Sequence, residues 1–154
     1  MASLEQEIQQ SKFDNEFVKV NINVLFTANW LYNKISLVLK PFNVTQEQFN
    51  VLRILKGSHP QSMCQKDILS RMLAPNSNLT LIVKKLVHKG LIIVLQSETD
   101  RREYQINITN DGIELLKDIE KGFKEYYKMS KSLSVSEAFH LNALLDKLRD
   151  QSFF

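Results

Sequence analysis

Residues 77 to 90 read S-N-L-T-L-I-V-K-K-L-V-H-K-G, and their types sort by the period of a helix. Leu79, Ile82, Val83 and Leu86 recur at the three- and four-residue spacing of one apolar face. Ser77, Asn78, Thr80, Leu81, Lys84, Lys85 and His88 are left for other directions. Hydroxyl, amide and ammonium groups suit base edges and phosphate oxygens, and Leu81 suits a thymine methyl. A solvated polar face without a partner is the plainer reading of such a helix standing alone.

This helix does not stand alone. Leu91 to Gln96 is β-branched and apolar, Ser97 to Glu103 is polar, and Tyr104, Ile106 and Ile108 alternate with Gln105, Asn107 and Thr109. That pattern predicts a two-stranded hairpin with Asp100, Arg101 and Arg102 at its charged tip. Two helices joined by a tight turn, followed at once by a basic-tipped hairpin, is the order of a winged helix-turn-helix. The second helix of that motif enters the major groove of DNA.

Other chemistries find little support. His59, His88 and His140 fall in three separate elements without a local metal-ligand spacing, so no metal site and no cofactor are expected. The sequence contains no G-x-x-x-x-G-K-[ST], G-x-S-x-G or H-E-x-x-H, and no catalytic residue is assigned. Cys64, the single cysteine, rules out an internal disulfide and points to a reduced, cytoplasmic setting. It opens a short helix, where helix-terminal N–H groups favour a thiolate, and is a candidate redox site; a small buried hydrophobe is its bland reading.

The chain has 154 residues, with 20 Lys+Arg against 17 Asp+Glu, enough for one domain with a real core. Charge is unevenly spread: Arg53 to Gly90 carries seven basic residues against Asp67 alone, while the remainder is slightly acidic. A positive middle suits a local anionic partner, and equally a solvated basic face. The opening MASLEQEIQQSKFDNEF lacks the basic and apolar regions of a signal peptide. Val20 to Asn33 is uncharged but too short and too rich in Asn for a membrane span, which needs ~20 mainly apolar residues.

The elements that must position these residues are predicted as follows. Phe17, Val24, Leu31 and Val38 recur every seven residues and mark a long helix over Glu16 to Lys40, stopped by Pro41. Ile22, Leu25, Phe26 and Trp30 lie off that stripe, so the helix packs against a second chain as well as its own core, unless it is a central core helix. Thr45 with Gln48 and Ser62 with Gln65 have capping-box spacing, and Asn76 or Ser77 is placed to cap the helix that Gly90 ends. Thr109 caps a helix carrying Ile113, Leu116, Ile119, Phe123 and Tyr126. Ser134 with Glu137 opens the last, with Leu141, Leu144, Leu145 and Leu148. The fold class is mainly α with a small β-hairpin.

The run from Ser77 to Gly90, the following Leu91, the tip Asp100-Arg101-Arg102 and Ile108-Thr109-x-x-Gly112 resemble the MarR family of bacterial winged-helix regulators, over essentially the whole chain. The resemblance implies a single domain over 1–154, with a DNA-binding lobe at about 45–109 and dimerisation helices at about 10–40 and 110–154. It implies a homodimeric, sequence-specific transcription regulator, a repressor rather than an enzyme, on a pseudo-palindromic operator in double-stranded DNA. Asp100 would orient Arg102 into a minor groove, whose negative potential favours a guanidinium; a purely local turn pair is the alternative. A small aromatic or phenolic ligand would lodge between the dimerisation helices and the lobe, with Phe26, Trp30 and Tyr32 as pocket-side candidates or simply core. Leu81 and Val94 stand where many members carry a basic residue, which keeps open a winged-helix module that binds protein instead of DNA.

Overall fold

The computed structural model describes residues 2–74, 78–96, 104–128 and 132–150. In chain order these form α1 (Leu4–Glu7), α2 (Glu16–Leu39), a 3-10 turn at Lys40–Phe42, α3 (Gln46–Ser58), α4 (Gln65–Arg71), α5 (Leu79–His88), β1 (Ile92–Gln96), β2 (Tyr104–Ile108), α6 (Asn110–Lys128) and α7 (Val135–Leu148). The chain is therefore mainly helical with one antiparallel hairpin, in the order the sequence predicts.

Helix starts are fixed locally. Asn15 Oδ1 accepts from the Val18 N–H at 2.9 Å and opens α2, while full capping boxes open α3 at Thr45 and Gln48 and α7 at Ser134 and Glu137. Each cap satisfies donors that the first turn leaves unpaired, an effect of ~1 kcal/mol. Two expected caps are displaced. Cys64, not Ser62, is the N-cap of α4, because the chain at Met63 pairs as a strand with Ile106 and carries Ser62 toward the hairpin. The Ser62 hydroxyl donates to Gln105 Oε1 at 2.8 Å instead. The start of α5 is capped by Asn78 rather than Asn76 or Ser77: Asn78 Oδ1 accepts from the Leu81 N–H at 3.1 Å.

The larger core gathers Val51, Leu52 and Leu55 of α3, Ile68 of α4, Val83 and Leu86 of α5, Ile92 and Ile106 of the hairpin and Leu116 of α6. Each full burial of such a side chain stabilises by ~1.5–3 kcal/mol relative to exposure. A second, smaller cluster joins α2 to α6 through Leu39, Ile119 and Phe123, with Ile35 and Phe42 packed against it. Leu39 is the one fully buried residue of α2, and α7 has none.

The corner between α5 and the hairpin is locked by backbone contacts. Gly90 takes φ +69, the left-handed conformation that ends a helix without a Cβ penalty. Thr109 donates its hydroxyl to the Gly90 carbonyl at 2.7 Å, accepts the Gly112 N–H at 3.1 Å, and gives its own N–H to the Leu91 carbonyl at 3.1 Å. The Gly-Leu pair and the Thr-x-x-Gly run therefore meet in space across 19 residues of sequence.

Candidate nucleic-acid interface

Leu79, Val83 and Leu86 turn α5 inward, and Ile82 is half-buried beside them. Thr80, Leu81, Lys84, Lys85 and His88 are all exposed. Positions 81, 84, 85 and 88 follow the i, i+3, i+4, i+7 spacing of one stripe. The helix carries no acidic side chain, and no described carboxylate pairs with Lys84 or Lys85. Asn78, exposed at the N-cap, commits its carbonyl oxygen to the helix and keeps its amide N–H groups as donors. Ser77 lies outside the described residues.

Beside α5 the strands pair Ile92 with Ile108 and Val94 with Ile106 on the core side, while the last pair, Gln96 with Tyr104, is exposed. Ile93 and Leu95 face outward with Asn107 and Gln105. Met63 exchanges both backbone hydrogen bonds with Ile106, at 3.0 and 2.9 Å, so the far edge of β2 is tied to the segment leading into α4. The tip with Asp100, Arg101 and Arg102 lies outside the described residues. Val94 is half-buried against the core.

A cavity of about 560 Å³ opens between α2, α3, the end of α4 and α6. From α2 it takes Ala28, Leu31, Tyr32 and Ile35, again one helical stripe. Of the three expected pocket residues only Tyr32 lines it. Phe26 and Trp30 are corrected to the opposite face of α2, roughly half a turn round the axis from that stripe, where Lys34 Nζ sits 5.8 Å from the Trp30 ring. Phe49, Phe123, Tyr126 and Tyr127 build an aromatic wall, with Phe49 and Phe123 stacked at 5.1 Å. Phe123 and Tyr126, apolar positions of the predicted helix, belong to the smaller core cluster and border the hollow as well.

Polar groups are few at this cavity. Tyr32 donates its hydroxyl to Glu47 Oε1 at 3.4 Å, and the Glu47 charge, with burial second, pushes the phenol above its ordinary range. Burial, then the neighbouring Tyr127, raises Tyr126 in the same direction. Arg53 lies over the Phe49 ring at 5.9 Å. Cys64 is half-buried at the N-cap of α4 and makes no side-chain cap. Among the described residues no group of three or more His, Cys, Asp or Glu is placed to hold a metal ion, and no helix is long and apolar enough to cross a membrane.

Comparison with known proteins fits this geometry. Residues 44–104 match the model of the MarR family. The HTH-type transcriptional regulator MgrA of Staphylococcus aureus is 30% identical over 111 residues, which cover 72% of this chain and 74% of that protein. A mutant MarR from E. coli complexed with operator DNA superposes with a TM-score of 0.78 at 20% identity, covering 91% of this chain and 100% of that one. The organohalide-sensing transcriptional regulator RdhR, in its 2,4-dichlorophenol-bound form, gives 0.79 at 18% identity, covering 99% and 90%. At such identities the superpositions establish the winged-helix fold, while the relationship to MgrA and the matched segment establish descent. The chain belongs to the MarR family and is a DNA-binding transcription regulator, not an enzyme.

Proposed function

We propose that this regulator works as a homodimer, represses by occupying a pseudo-palindromic operator in double-stranded DNA, and is released by a small aromatic or phenolic ligand. The observation that carries the reading is the Leu81, Lys84, Lys85, His88 stripe, free of acidic side chains and exposed beside the hairpin. On it, Asn78, Thr80, Leu81, Lys84, Lys85 and His88, with Ser77 before them, are the groups offered to the major groove. Arg102, oriented by Asp100 and accompanied by Arg101, is offered to the minor groove. The lobe is taken as residues 45–109, flanked by dimerisation helices at 10–40 and 110–154, in a cytoplasmic protein.

Dimerisation is supported by what one chain leaves uncovered. Phe17 is 81% exposed, Val135 90% and Phe139 71%, and α7 buries no residue of its own. Large apolar side chains grouped on two helices mark an association surface. Ligand release is supported by the cavity, whose size is in the usual range for small-molecule sites and whose wall is aromatic. RdhR, which shares the fold, was solved with 2,4-dichlorophenol.

Selection of bound sequences from a random duplex pool tests the reading. The expected product is an inverted repeat with half-site centres ~34–36 Å apart, since a two-fold protein repeats its contacts on the duplex period. Light scattering should give twice 17.9 kDa. A monomer mass independent of concentration at micromolar protein would sink the dimer.

A further inference from the structure

Three consecutive side chains at the start of α3 leave it in three directions. Gln46 Nε2 donates to the Tyr32 carbonyl and, at 2.8 Å, to Ser36 Oγ, both on α2. Glu47 lines the cavity and accepts from the Tyr32 hydroxyl. Gln48, 3% exposed, is the one polar residue among the described residues that is buried with the core. Its Oε1 accepts from the Thr45 N–H at 3.3 Å and from Lys89 Nζ at 3.1 Å. Adjacent residues of a helix project about 100° apart, so one turn can address three neighbours at once.

Lys89 is the C-cap of α5 and one of the seven basic residues that make the middle of the chain positive. Its ammonium reaches back into the protein, donating to Gln48 Oε1 and to the Asn43 carbonyl. Asn43 is the left-handed residue, φ 52, that ends the turn following α2. The acceptors are therefore the corner where α2 gives way to α3, and the donor is the C-terminal end of the recognition helix. Hydrogen bonds from a charged donor are among the stronger ones, and a half-buried ammonium pointing inward is poorly placed to displace counterions from DNA.

We infer that Lys89 is a positioning residue for operator recognition: held by Gln48 Oε1 and the Asn43 carbonyl, it fixes the recognition helix to the end of the dimerisation helix and so sets the separation of the two recognition helices. The inference rests on the dimeric DNA-binding reading above and adds to it the link that makes the half-site separation definite.

The test uses the full chain, its selected operator, the same operator with one central base pair inserted or deleted, and a random duplex, each titrated over a range of salt. Lys89→Met should weaken the best site about tenfold and narrow the gap between it and the misspaced operators. The salt slope and the affinity for random duplex should stay as they were. Gln48→Met, which removes no charge, should do the same, the double variant should be no worse than either single one, and Lys89→Arg should retain spacing discrimination. If Lys89→Met instead makes the slope shallower by about one unit and weakens random duplex in step, Lys89 is a phosphate contact and the inference falls. It falls equally if nothing changes, or if the two losses simply add. Should Gln48→Met fail to fold, the Met and Arg variants of half-exposed Lys89 decide through slope and spacing alone. Absence of duplex binding by the unaltered protein would overturn the dimeric reading and this inference together, whereas the other adverse results overturn the inference only.

Discussion

The Cβ that Gly112 lacks would stand 2.3 Å from the carbonyl oxygen of Leu91 and 2.8 Å from Ile108 Cγ1. The obstacle is backbone held in the α5–hairpin corner, so it cannot swing aside. Gly112→Ala should therefore destabilise the protein by ~3 kcal/mol, the upper part of the range for overpacking. Gly57, in α3, has nothing within 4 Å of its would-be Cβ. Gly57→Ala should stabilise by ~0.5–1 kcal/mol through helix propensity. Urea denaturation of the two variants should move in opposite directions.

Arg102→Ala separates wing from helix. A guanidinium reading groove width and charge contributes to specific and unrelated duplexes alike, so both affinities should fall and the salt slope should become shallower by about one unit. Lys84→Ala should lower affinity for the selected site by ~1–3 kcal/mol and much less on a scrambled duplex, if its exposed ammonium reaches a base edge. Titrating both variants at two salt concentrations tests the assignment; an Arg102→Ala protein with unchanged affinity and slope would remove the wing contact.

Ala28 lines the cavity from α2. Ala28→Trp should take up part of it and, on the ligand-release reading proposed above, reduce affinity for a small phenol about tenfold or more, ~1.4 kcal/mol, while operator affinity in the absence of ligand stays unchanged. Calorimetry is the suitable readout, because native Trp30 lies on the opposite face of α2 and its emission would report poorly on occupancy. Equal heats from the variant and the unaltered protein would place the ligand elsewhere.

The hydrogen bond from Lys19, a 2.6 Å ion pair, holds the Glu5 carboxyl down at about 2 instead of the usual 4.5. A depressed folded-state value means the contact supports the α1 hook fully above pH ~4.5 and loses that support as pH falls toward ~2. The pair lies at the surface with both side chains partly exposed, so added salt should weaken it. Carboxyl chemical shifts should give a Glu5 midpoint near 2 that returns to the ordinary range in Lys19→Met. A midpoint near 4.5 in the unaltered protein would refute the contact.

What the sequence made legible was what neighbours in the chain decide. Thr45 with Gln48 and Ser134 with Glu137 cap where their spacing says, because both partners lie within one turn. Ser62 with Gln65 has the same spacing and does not cap, since pairing of Met63 with Ile106, 43 residues on, carries Ser62 away. The outward stripe of α5 was readable from period alone. The inward turn of Lys89 was not, because its acceptors Asn43 and Gln48 sit more than 40 residues earlier. Phe26 and Trp30 were misplaced for a related reason: residue type marks an aromatic, but only the azimuth at which α2 meets α3 and α6 says which side faces the hollow.

That hollow has a mechanical consequence. Where side chains interlock, a change of angle between two layers breaks many dispersion contacts at once and is strongly resisted. Across about 560 Å³ of open space there are no such contacts to break. The angle between α2 and the lobe is left to the rim: the Gln46 bonds to α2, the Lys89 tie to the Asn43 corner and, by way of α6, the Phe49–Phe123 stack and Lys56 on Glu120 at 2.9 Å. Resistance to a tilt of the lobe on that side therefore rests on the few rim contacts, and a molecule filling the gap would add to it as a wedge.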